Sequence, residues 1–155
     1  MNVLYVCTEV YPLLKTGGLA DVSAALSAAL RDLGCDVRLL LPGFAPIAAG
    51  FVADGPRLKL SATGGPEIVR TLKPAPTLLP GTLATTGQPA YLLDAPALYH
   101  RGGGPYLDAQ GNDWPDNAQR FALLAWAAAG LGCGGDPSWR PDVVHVNDWQ
   151  TALAP

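Results

Sequence analysis

The stretch NVLYVCTEVYPLLKTGGLADVSAALSAALRDLGCDVRLLLP, Asn2 to Pro42, decides the fold. NVLYVC (Asn2–Cys7) is a short apolar run of β-forming residues, and it reads as a strand buried on both faces. Pro12 and the pair Gly17-Gly18 punctuate the loop that follows. Leu19, Val22, Leu26, Leu30 and Leu33 then recur at spacings of three and four, which predicts an amphipathic helix laid on a sheet through that stripe. Gly34 is the expected helix stop. DVRLLLP (Asp36–Pro42) is the next strand. A strand, a glycine loop, a helix and a strand form a βαβ unit, which implies a parallel sheet with a right-handed crossover.

Working outward, the middle of the chain from Gly43 to Pro89 is rich in Gly, Pro and Thr. RLKL and EIVRTL are its short strand candidates, in excursions or hairpins. AYLLD (Ala90–Asp94) reads as another core strand. The segment Tyr99–Asp116 is too long for a simple connector, and Tyr99, Tyr106 and Trp114 favour an ordered loop. Helical periodicity returns over Asn117–Leu131, with Phe121, Leu124, Ala128 and Leu131 on one face and Asp116 or Asn117 as the cap. PDVVHVND (Pro141–Asp148) is a strand whose end turns polar, and WQTALAP begins a helix. The short run after Trp149 and the unfinished sheet suggest the N-terminal part of a larger α/β domain. An exposed sheet edge would then favour self-association.

The chain has 155 residues, enough for one domain with a sizeable core. Ten basic against thirteen acidic residues give a formal charge of −3, and no basic run supports nucleic-acid binding. No apolar run reaches the roughly 18 residues of a membrane span. MNVLYVCTEV has no basic start, and its apolar run soon meets Glu9, unlike a signal peptide. Cys7, Cys35 and Cys133 are odd in number and widely spaced, which argues against a disulfide framework or a zinc site and for buried thiols in a reducing cytoplasm.

The loop KTGG precedes a helix N-terminus, where backbone N–H groups and the helix dipole favour an anion. Gly17 and Gly18 would let a ligand approach the backbone, and Lys15 would add a full charge to a phosphate oxygen. The alternative is an ordinary flexible helix start with a solvated lysine. Neither G-x-G-x-x-G nor a P-loop occurs, so a nicotinamide oxidoreductase has little support. Both KTGG and HVND follow strands at their carboxyl ends, where open α/β sheets bind ligands. His145 and Asp148 are site candidates there, or else a buried hydrogen-bonded histidine and a helix N-cap aspartate. Glu9 either lines the cleft or is structural.

In order, the chain carries KTGGLADV, LLDAP, YLD, DNAQRFALLAWA and WRPDVVHVNDWQTALAP. Together these resemble the N-terminal part of bacterial glycogen synthases and plant starch synthases, glycosyltransferase family five. The resemblance runs from Asn2 to Pro155 and is loose only over Gly43–Pro89. It implies a GT-B architecture of two Rossmann-like domains facing a cleft, with this chain covering part of the first. It implies retaining transfer of glucose from ADP-glucose to the non-reducing end of an α-1,4-glucan such as glycogen, with no metal and no cofactor. By the same resemblance Lys15 contacts the ADP-glucose phosphates, Gly17 and Gly18 line that site, Asp21 lies near the donor, and Asp148 is the catalytic aspartate at the glucosyl end. Asp116, Asn117 and Arg120 are expected to support the site. Asn147 departs from the pattern, since many relatives have His there. The Arg and Lys that stabilise the leaving diphosphate are expected on the other domain, so these 155 residues alone should not synthesise glucan. A non-catalytic nucleotide- or glucan-binding module is the alternative.

Overall fold

The computed structural model describes residues 1–61 and 64–154. It contains β1 (Asn2–Val6), α1 (Leu19–Asp32), β2 (Asp36–Pro42), α2 (Ala45–Ala49), β3 (Phe51–Ala53), β4 (Leu58–Lys59), α3 (Glu67–Thr71), β5 (Thr77–Leu83), β6 (Pro89–Asp94), α4 (Pro96–Tyr99), α5 (Asn117–Gly132) and β7 (Val143–Val146). One mixed sheet runs β3-β5-β6-β2-β1-β7, with β4 also on β5. Its centre is parallel: Val3 pairs with Val37 and with Val143, and Leu40 pairs with Tyr91. The expected βαβ unit is therefore present, with β1 paired on both sides between β2 and the edge strand β7.

The apolar runs form these strands because both faces are covered. Leu4, Tyr5, Val6, Leu39, Leu40, Leu41 and Leu93 are fully buried. Each such side chain contributes about 1.5–3 kcal/mol by leaving water. Phe121, Leu124, Ala128 and Leu131 of α5 are buried against one face, as their spacing predicts.

The helix α1 bears out its predicted stripe only in part: Leu26 and Leu30 pack against the core, half-buried. Its buried residues are Ala20, Ser23 and Ser27, while Val22 and Leu33 are 50% and 81% exposed. Small side chains allow the helix to lie close to the sheet. The two hydroxyls donate to carbonyls one turn back, Ser23 to Leu19 and Ser27 to Ser23, so they enter the core without unpaired polar atoms. Gly34 ends the helix in the left-handed region at φ 83°, as expected.

The middle segment is antiparallel. RLKL supplies the two-residue β4, but EIVRTL is not a strand. Glu67–Thr71 is a helical turn, with Pro66 before it and Val69 buried. Tertiary packing overrides the β-branched composition. TLLPGTL forms β5, a strand that Pro80 and Gly81 conceal in the sequence. The Pro80 carbonyl accepts from Asp54 N–H where β3 ends, so the missing proline N–H faces the gap before β4 and costs no ladder bond. A Cβ on Gly81 would lie 2.2 Å from the Val52 carbonyl oxygen, which makes glycine obligatory for the β3–β5 approach.

The last expected helix is a single 3-10 turn, Trp149–Thr151. The Pro155 end of WQTALAP lies outside the described residues. The cysteine expectation holds only in part: Cys7 is buried, Cys35 is half-buried and Cys133 is exposed. No described helix is long and apolar enough to cross a membrane.

Candidate functional site

Several polar groups meet at the carboxyl ends of β1 and β7. After β1 the chain presents Thr8 and Glu9, both buried, and then turns through Tyr11–Gly18 into α1. Lys15 stands exposed on this turn. Its ammonium donates to Asp21 Oδ2 at 2.7 Å and lies 6.0 Å from the Tyr11 ring centre. The structure thus brings Lys15 and Asp21 together as a half-exposed ion pair at the start of α1. Gly18 is the N-cap at φ −72°, ψ −17°, which any residue can adopt. Neither Gly17 nor Gly18 needs its glycine for backbone conformation. A Cβ on either would meet no protein atom within 4 Å, so the first turn of α1 faces open space. Four N–H groups at a helix start have no intrahelical acceptor. A cation beside such a start is suited to an anion.

Glu9 ties this turn to the rest of the site. Its Oε2 accepts from Thr16 N–H at 2.6 Å, and its Oε1 accepts from Thr16 Oγ1 at 2.7 Å and from Tyr106 Oη at 2.6 Å. The Tyr106 hydroxyl also contacts Thr8 Oγ1 at 2.9 Å and accepts from Gln150 Nε2 at 3.1 Å. A phenol carries one proton, and Tyr106 gives it to Glu9, so Thr8 donates to Tyr106. Burial, followed by the bond to Glu9, raises the Tyr106 pKa above the ordinary phenol range, with the Asp148 charge adding to the shift. Tyr106 remains a neutral donor at any working pH. The Asp148 contribution places that carboxylate within electrostatic reach of Tyr106.

Asp148 is exposed and caps the terminal turn, accepting from Trp149 N–H at 2.7 Å. It is the one non-glycine residue with positive φ among the described residues, at φ 69° and ψ 174°. That region is essentially glycine-only, and holding another residue there costs of order 1–3 kcal/mol. The Asp148 carbonyl is fixed by Thr151 N–H and Oγ1. Trp149 beside it is 59% exposed, with its indole edge-on to Phe121 at 5.2 Å.

The structure does not bring His145 to this point. His145 sits half-buried inside β7 opposite Tyr5 and stacks on its ring at 4.7 Å. The Asn147 side chain donates a long 3.4 Å bond to Ser23 Oγ, while its backbone N–H donates to the Val6 carbonyl.

The motif residues Asp116, Asn117 and Arg120 support the site through the Tyr99–Asp116 loop, which is ordered. Asp116 is the N-cap residue of α5, but its side chain does not cap the helix; it accepts two bonds from Arg101 Nη2 instead. Asn117 Nδ2 donates to the Tyr106 carbonyl. Arg120 is 1% exposed and donates to the Leu98 and Pro105 carbonyls and to Asn117 Oδ1. Its guanidinium lies 5.4–5.8 Å from the rings of Phe44, Tyr99, Trp114 and Phe121. Burial, then the nearby Arg101 charge, lowers its pKa from the ordinary value. The Pro105 and Tyr106 carbonyls are therefore clamped by α5.

Sequence reasoning missed Tyr106 as a site residue and read it only as an aromatic that orders its loop. Thr16 and Gln150 carried no signal at all, because their roles arise through the Glu9–Tyr106 bond, whose partners are 97 positions apart. Larger grooves, of about 350 and 510 Å³, run along α5 by Trp126 and Cys133, but no charged side chain lines them. The polar chemistry is at the β1–β7 corner.

Comparisons with known proteins agree on one family. The starch synthase catalytic domain family matches residues 2–155. A glycogen synthase of Albidiferax ferrireducens is 54% identical over 155 residues, all of this chain and 31% of the relative. A glycogen synthase of Paramagnetospirillum magneticum is 54% identical over all of this chain and 30% of its own length. Among solved structures, the catalytic domain of starch synthase IV from Arabidopsis thaliana, bound to ADP and acarbose, superposes with a TM-score of 0.68 at 23% identity, over 99% of this chain and 29% of that one. That likeness shows a shared fold. The chain spans just under a third of the length of these curated relatives.

Proposed function

The chain belongs to the starch synthase catalytic domain family, and we propose that it forms the N-terminal part of a GT-B enzyme that transfers glucose from ADP-glucose to the non-reducing end of an α-1,4-glucan. The whole enzyme acts in the cytoplasm, and the second Rossmann-like domain lies in the part of the relatives that this chain does not cover. The observation that carries the reading is the open start of α1, where Lys15 stands on Asp21 beside Gly17 and Gly18.

Lys15 and the first-turn N–H groups receive the diphosphate of ADP-glucose. Lys15 exchanges the Asp21 carboxylate for phosphate oxygens, and Asp21 keeps the ammonium in place until then. Asp148 stands at the glucosyl end. There the bond from C1 to the diphosphate oxygen breaks, and its electron pair leaves with ADP. The 4-hydroxyl of the glucan forms the new bond to C1, on the same face, and its proton passes to the departing diphosphate oxygen. The exposed face of Trp149 gives a sugar ring an apolar floor beside Asp148. The naming of the similar relatives as glycogen synthases, and the ADP and acarbose in the Arabidopsis domain, support this assignment of substrates.

The test is ADP-glucose kinetics of the full-length protein and its Lys15→Ala variant. A charge-assisted bond to phosphate contributes about 1.5–3 kcal/mol. Breaking the half-exposed Lys15–Asp21 pair returns about 0.5 kcal/mol. Removing Lys15 should therefore raise the donor KM about five- to seventyfold. Asp21→Asn should have no further effect once Lys15 is gone. Unchanged donor use in Lys15→Ala would return the corner to an ordinary helix start. ADP-glucose binding without any transfer would favour a binding module.

A further inference from the structure

We infer that Glu9 is a positioning residue that locks the two ends of the site into one unit. The inference rests on the proposed transfer reaction and extends it to a residue that touches neither phosphate nor sugar.

Glu9 is 1% exposed, and among the described residues no lysine or arginine pairs with it. Its charge is met only by neutral donors: one backbone N–H and two hydroxyls. A buried carboxylate is a poor way to gain stability, since a well-packed apolar residue of similar volume often serves as well or better. What the carboxylate does provide is geometry. One oxygen takes Thr16 N–H, which fixes the backbone between Lys15 and Gly17. The other takes Thr16 Oγ1 and Tyr106 Oη together. Tyr106 in turn accepts from Gln150, two residues after the strained Asp148. The path Lys15–Thr16–Glu9–Tyr106–Gln150–Asp148 thus joins the phosphate corner to the glucosyl end by hydrogen bonds and short stretches of backbone.

The far side of Tyr106 is fixed independently. Asn117 and Trp114 hold its carbonyl, and Arg120 holds that of Pro105. The tyrosine is a rigid strut, and Glu9 is the joint where the Lys15 turn attaches to it. Glu9→Gln keeps the size but replaces one acceptor oxygen by an NH2 group, so Thr16 and Tyr106 can no longer both be served in the same way. The Lys15 turn then moves independently of Asp148. Misplacement of about 1 Å by a residue away from the chemistry can cost on the order of a hundredfold.

The experiment uses the full-length protein, with Glu9→Gln, the milder Thr16→Val, and Lys15→Ala as reference, each measured for donor KM, kcat and melting temperature. Glu9→Gln is expected to raise donor KM and lower kcat together, with kcat/KM falling about ten- to a hundredfold. Lys15→Ala acts mainly on KM. Thr16→Val removes one exposed hydroxyl from the joint and moves both parameters in the same direction by a smaller factor. It keeps the test decisive if Glu9→Gln fails to fold. In the Lys15→Ala background Glu9→Gln should change KM less than in the wild type, because the group it positions is gone. A merely structural Glu9 predicts a lower melting temperature with unchanged KM and kcat per folded molecule in both variants, and that result overturns the inference. If wild type transfers glucose and Lys15→Ala impairs donor use while both joint variants are unaffected, only this inference fails. If the wild type transfers no glucose, the reading beneath it fails as well.

Discussion

Replacing Asp148 separates its backbone strain from its carboxylate. At φ 69° and ψ 174° the residue occupies backbone space suited to glycine. Asp148→Ala keeps the strain and loses the bond to Trp149 N–H, a cap worth about 0.5–2 kcal/mol. Asp148→Gly loses the same bond but releases about 1–3 kcal/mol of strain. Glycine gives back about 0.4–1 kcal/mol through the freer unfolded chain. The glycine variant should therefore be more stable than the alanine variant, by up to about 2.6 kcal/mol, a gap of up to roughly 10 °C in melting temperature for a domain of this size. Thermal melts of the two variants side by side give that gap without reference to the wild type. Both variants should lose glucan transfer, because both lack the carboxylate. An alanine variant at least as stable as the glycine variant would refute the strain argument. Transfer at wild-type rate in either would remove Asp148 from the chemistry.

Three further outcomes follow from the buried polar groups. Burial pushes the Cys7 thiol up to about 12, so a thiol reagent at pH 8 should label exposed Cys133 in the native protein and Cys7 only on unfolding; fast native labelling of Cys7 would contradict its burial. For Asp136, burial opposes ionisation, but the Ser138 hydroxyl and amide, Tyr91 and Arg38 outweigh it and hold the carboxyl below its ordinary value. A depressed carboxyl stabilises the fold above the unfolded value near 3.9 and loses that contribution as pH falls, so Asp136→Asn should cost about 1–3 kcal/mol in urea melts at pH 7 and clearly less at pH 3. Arg120→Met removes the clamp on the Leu98 and Pro105 carbonyls and should ease opening of the 100–116 loop by about 1–3 kcal/mol, speeding its cleavage by a protease roughly five- to a hundredfold; an unchanged cleavage rate would mean that the aromatic cage alone holds the loop.

What was legible in the sequence was whatever lies within one periodic element. Asn2–Val6 and Asp36–Pro42 are strands where the apolar runs place them, and α5 buries the predicted Phe121, Leu124, Ala128 and Leu131. The stripe of α1, where Leu26 and Leu30 pack on the core but Val22 and Leu33 do not, shows the limit of such reasoning. Hydrophobicity picks out Val22 and Leu33, but close packing on a sheet selects the small Ala20, Ser23 and Ser27. EIVRTL is helical rather than the expected strand, and TLLPGTL, for which no element is predicted, is a strand, because neighbours rather than propensity decide short segments. The motif resemblance singles out Lys15, Gly17, Gly18, Asp21 and Asp148 as candidates, and of these Lys15 and Asp21 meet in space. Their connection was illegible, since Glu9 and Tyr106 are separated by 97 positions and act through a single 2.6 Å bond.

The most direct measurement is incorporation of labelled glucose from ADP-glucose into glycogen by the full-length protein, with released ADP counted in the same reaction. The account predicts label at the non-reducing ends, one ADP for each glucose transferred, and loss of both in the Asp148→Gly variant. Release of ADP without label in glycogen, or no turnover of ADP-glucose at all, would contradict it.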